Sequence, residues 1–195
     1  MAAAPSPIGD HALESLRVIR DVMERAGAFT AVPGWGTVGS GLTALVAASL
    51  AARAQDDAAW LTVWLVEGLL AATLSTAGVV LKSRRLGLSL TSGVSRRFAL
   101  AFVPALVAGA AMTWVLAAHG LGAFLPGTWL LLYGTAVVAG GALSVRIVPL
   151  MGLAFMALGL AGLAAPASWG NVMMAIGFGG LHIVFGTAIA RRHGG

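Results

Sequence analysis

The chain contains no cysteine. That absence excludes disulfides, thiolate metal sites and cysteine nucleophiles, and it leaves the redox environment undetermined. Charge is also scarce: 10 % of the 195 residues are charged, whereas a soluble domain carries about 25 %. No glycine-rich phosphate loop, His-Glu-x-x-His, carboxylate cluster or zinc-ligand spacing occurs. The run Gly140-Gly141-Ala142-Leu143-Ser144 lacks the G-x-S-G of a serine-based intramembrane protease. Neither enzymatic activity nor a metal site is expected. Residues Met1 to Pro7 hold no apolar core and no early positive charge, so no secretory signal is expected there.

What the chain does have is apolar sequence, 58 % of all residues. Six runs reach the twenty or so residues needed to cross hydrocarbon, roughly 35–54, 58–81, 98–118, 128–145, 147–165 and 170–190. Lipid tolerates helices or closed barrels only. The expected fold is all-α: a polytopic membrane protein with a six-helix transmembrane bundle (35–190), preceded by a cytoplasmic segment (1–34) with an amphipathic helix over 10–27, and followed by a cytoplasmic tail (191–195). The fourth and fifth runs form one apolar block, divided at Arg146 and Pro149, which mark a tight turn.

Of the twelve Lys and Arg residues, all but Arg53 fall on one side of this plot. Cations resist transfer across the bilayer, so that side is read as cytoplasmic, with both termini there and the plasma membrane as the location. The net charge of +5 reflects these span-end cations and does not point to nucleic acid. Trp60, Trp64, Trp114, Trp129 and Trp169 all map to the opposite boundary, as an aromatic belt. Lys82, Arg84, Arg85, Arg96 and Arg97 lie in a stretch with no acid and are candidate contacts for anionic lipid headgroups. Gly36, Ser40, Gly140, Gly141, Gly177, Gly179, Gly180 and Gly186 supply small-residue surfaces that let helices approach closely, within one bundle or between two copies.

The lead-in helix, with Asp10 as its cap, shows an apolar stripe of Leu13, Leu16, Ile19 and Met23 opposite a charged face whose signs nearly cancel. That stripe either lies against the bundle or the membrane interface, or is a candidate docking surface for a cytoplasmic partner or a second copy.

Two ionisable residues fall inside the membrane plot, Glu67 and His182, and such residues are costly there. Measured from the outer tryptophans at about 1.5 Å per residue, Glu67 comes out about 10 Å deep, near Tyr133, Thr113 and Ser49. His182 comes out about 20 Å deep, near Ser75 and Ser144. With no cation at its level, Glu67 must be protonated, hydrogen-bonded or open to water. Haem held by His182, with Met156 as second ligand, is a minor alternative.

Two functional classes follow. One is a non-enzymatic sensor, anchor or accessory subunit that docks cytoplasmic partners through its N-terminal helix. The other is a small-solute or proton-linked transporter that uses Glu67 and His182.

Overall fold

A computed structural model describes residues 14–16, 19, 31–87 and 89–193. Every element is helical, and local sequence sets the ends. Helix α1, Gly34–Ala51, opens after Pro33, whose carbonyl accepts from the Thr37 hydroxyl at 2.8 Å. Helix α2, Asp57–Arg85, is capped by the Asp56 carboxylate, which accepts from the Ala59 amide at 2.7 Å. Helix α3, Gly93–Ala118, is capped by Ser92 and runs unbroken through Pro104. Helix α4, Gly122–Gly141, begins with one 3-10 turn and Pro126, a residue that suits a first helical turn. Helix α5 is Ile147–Ala164. Helix α6, Ala167–His193, contains a π-helical stretch, Ala175–Leu181.

Five of these helices, α2 to α6, are long and apolar enough to cross a membrane. Helix α1 has 18 residues, but Gly34, Gly36, Thr37, Gly39, Ser40, Gly41 and Thr43 dilute its apolar character. Some bounds differ from those expected. Helices α2 and α3 extend through most of the basic stretch and leave only residues 86–92 between them. Helix α4 ends at Gly141, before the expected 145, and residues 142–146 form the turn into α5, with a Cβ on Gly141 lying 2.9 Å from the Pro149 nitrogen.

Two antiparallel seams hold the bundle together, and both are built on glycines seven residues apart. Two turns of helix return a residue to nearly the same face, so such spacing gives a strip without side chains. Gly127 and Gly134 on α4 meet Gly159 and Gly152 on α5, and Gly141 meets Val148 and Pro149; a Cβ on Gly134 would sit 2.7 Å from the Gly152 carbonyl oxygen. Gly34 and Gly41 on α1 meet Gly179 and Gly186 on α6; a Cβ on Gly41 would sit 2.8 Å from the Gly179 carbonyl oxygen. Helix α2 packs chiefly on α1, and α3 chiefly on α4. Phe155, Leu130 and Ile189 are the largest fully buried apolar side chains.

The two ends of the bundle differ. At one, the Lys82 ammonium donates to the carbonyls of Val32 (2.9 Å) and His193 (3.0 Å), tying α2 to the lead-in of α1 and the last residue of α6. At the other, Asn171 of α6 meets Trp60 and Trp64 of α2 and Ala48 of α1. Of the expected amphipathic helix, Glu14–Leu16 and Ile19 are helical, with Leu16 61 % and Ile19 53 % exposed. Its Asp10 cap and its stripe residues Leu13 and Met23 lie outside the described residues.

Candidate functional site

His182 is the first residue after the π-helical stretch. Such widened turns occur mostly as single insertions and often at functional sites. Gly177 within it has no side chain, and the Leu130 side chain occupies the place where a Cβ would stand. The His182 Nδ1 hydrogen donates to the Phe178 carbonyl, one turn earlier, at 2.8 Å. That bond leaves Nε2 as an acceptor, and the Tyr133 hydroxyl donates to it at 2.7 Å. Both imidazole nitrogens are therefore committed. The rings of Phe155 and Phe178 lie 5.1 and 5.9 Å from the imidazole, and Tyr133 touches Phe155 edge-on at 4.8 Å. Phe102 of α3 and Trp64 of α2 extend this aromatic group toward the lipid-facing helices. A haem ligated by His182 would need the Nε2 that Tyr133 holds.

Glu67 is only 6 % exposed and sits in the seam between α1 and α2. The Thr43 hydroxyl donates to its carboxylate at 2.8 Å. The same hydroxyl lies 3.0 Å from the Ser40 carbonyl and 3.3 Å from the Gly39 carbonyl. Further along the seam, the Ser40 and Ser75 hydroxyls are 3.3 Å apart, and Ser40 also reaches the Ala71 carbonyl at 3.4 Å.

Asn171 is a third polar centre, which reasoning from ionisable residues overlooks. Its side-chain oxygen accepts from the indoles of Trp60 and Trp64 at 3.3 and 3.2 Å, and its nitrogen donates to the Ala48 carbonyl at 2.9 Å. One signal could have found it: it is the sole asparagine of the chain, placed at the start of an apolar run.

The two polar levels expected from depth are not brought together. Tyr133 pairs with His182, Thr113 accepts from the Trp129 indole at 2.8 Å, and Ser49 bonds the carbonyl of Val46 within its own helix. Ser75 pairs with Ser40, and Ser144 lies in the turn after α4. The tryptophans do not share one height. Gly170 packs beside Pro126, so Trp169 stands level with the start of α4 while Trp129 lies about one turn further in, and depths counted from each are offset. Trp60, Trp64 and Trp129 turn their N–H groups inward, whereas Trp114 and Trp169 are exposed. Among the five cations named for lipid headgroups, Arg84, Arg85, Arg96 and Arg97 are exposed, but Lys82 is buried and bonds backbone carbonyls. A cation at the carbonyl end of a helix complements its dipole.

No family model, no curated protein and no solved structure matches this chain.

Proposed function

We propose that the chain is a six-span, non-enzymatic membrane subunit of the sensor or accessory kind, which docks a cytoplasmic partner through residues 10–27. In this reading α1 is the first span, the basic end is cytoplasmic, and both termini lie on that side of the plasma membrane. Exposed Arg84, Arg85, Arg96 and Arg97 then face anionic headgroups. The observation that supports the docking role is that Leu16 and Ile19, on the apolar stripe, are helical and more than half exposed, which keeps their apolar surface off the bundle.

The test is copurification from membranes in mild detergent. Replacing Leu16 and Ile19 together with Glu should leave the bundle inserted and remove whatever cytoplasmic protein accompanies the unaltered chain. If the same partners are recovered in the same amounts, the docking role is wrong.

A second reading, a proton-linked small-solute transporter, draws on the buried Glu67 and on the π-helical turn beside His182. It differs in requiring flux through the bundle, read in proteoliposomes.

A further inference from the structure

We propose that Glu67, with the oxygens around Thr43, forms an exchangeable site for one positive charge, a proton or a sodium ion, within the α1–α2 seam. The inference does not depend on the docking role of the N-terminal segment.

The site lies on one stripe of α2. Trp64, Glu67, Ala71, Ser75 and Lys82 recur at three- and four-residue steps or their sums, the spacing of a single helix face. Polar bonds from that stripe to α1 and its lead-in use oxygens of Ser40, Thr43 and Val32.

The Glu67 carboxylate has one hydrogen-bond donor among the described residues, the Thr43 hydroxyl. The Thr43 hydroxyl also lies within reach of the carbonyls of Gly39 and Ser40, which already accept helix N–H groups, so the carboxylate is the one acceptor here that depends on it. The second carboxylate oxygen of Glu67 has no hydrogen-bond partner among the described residues and is not fully buried, which leaves it open to exchange. No Lys, Arg or His forms an ion pair with Glu67 among those residues. An ionised carboxylate cannot stay unpaired in an apolar seam. It must hold a positive charge, and an all-oxygen setting suits either a proton or a hard cation. One carboxylate neutralises one charge, which selects a monovalent ion.

Labelling with dicyclohexylcarbodiimide tests this on the full chain in lipid nanodiscs. The reagent reacts only with a protonated carboxyl: the acyl oxygen bonds to the central carbon, and the proton moves to a reagent nitrogen. Peptide mass spectrometry should find Glu67 modified near pH 5, and Glu67→Gln should remove that signal. If the site exchanges protons, modification falls about tenfold or more between about pH 5 and pH 9. If it takes sodium, modification at fixed low pH falls on adding sodium chloride and is unchanged by choline chloride. Thr43→Val, which removes one oxygen and keeps the shape, should shift whichever dependence is seen. Modification that ignores both pH and sodium would mean a fixed protonated tie between helices and would overturn the proposal. So would failure to modify Glu67 at any pH.

Discussion

At the residue scale, several polar side chains inside this bundle join different helices. An indole N–H or phenol O–H buried in hydrocarbon must find an acceptor, because no water is present to supply one. Asn171 serves two indoles and one carbonyl at once, linking α6 to α2 and α1. Tyr133 serves His182 and links α4 to α6. Interhelical bonds in membranes are worth about 0.6 kcal/mol on average and up to about 1.7. Tyr133→Phe should therefore destabilise the protein by about 1 kcal/mol, read from its unfolding midpoint in mixed detergent, with no change in assembly. A loss beyond about 3 kcal/mol would mean that the hydroxyl does more than tie two helices. The sequence shows that Glu67 and His182 lie inside the bundle, because ionisable residues stand out in apolar runs. Their partners were not legible. Distance along a helix gives height from a local mark, but pairing depends also on rotation about the axis and on where each mark sits. Trp129 and Trp169 are such unequal marks.

At the element scale, the close seams follow from glycines at seven-residue intervals, Gly127 and Gly134 facing Gly159 and Gly152, with Gly141 against Val148 and Pro149, and Gly34 and Gly41 facing Gly179 and Gly186. With no hydrophobic force between helices in lipid, van der Waals contact along such strips is a main source of association. A Cβ on Gly134 would lie 2.7 Å from both the Gly152 oxygen and the Met156 nitrogen, so the two backbones would have to part. Gly134→Ala should cost about 1–3 kcal/mol. Gly180, where a Cβ would meet nothing within 4 Å, is the matched control, and Gly180→Ala should stay within about 0.5 kcal/mol. Equal effects of the two changes, measured by the same detergent unfolding, would contradict the seam. The helices as apolar runs were plain in the sequence, and so was the abundance of small residues. The ends were less plain, since Lys82, Arg84 and Arg85 continue α2 where charge suggested a loop. Charge marks a helix leaving the hydrocarbon and does not by itself end the helix. Asp56 and Ser92 set actual starts through their caps.

At the scale of the whole molecule, one end gathers the lead-in of α1, the close of α2 and the close of α6 around Lys82, and the other gathers the indoles around Asn171. The proposed orientation rests on the uneven distribution of Lys and Arg along the chain, and the proposed six-span count on its apolar runs. Because the chain has no native cysteine, single cysteines report position without background. The decisive measurement is reaction of Leu90→Cys, His193→Cys and Asp56→Cys with a membrane-impermeant maleimide, in right-side-out and then in inverted vesicles. The account predicts that Leu90→Cys and His193→Cys label only in inverted vesicles, and Asp56→Cys only in right-side-out ones. Labelling of positions 90 and 193 from opposite sides would contradict it.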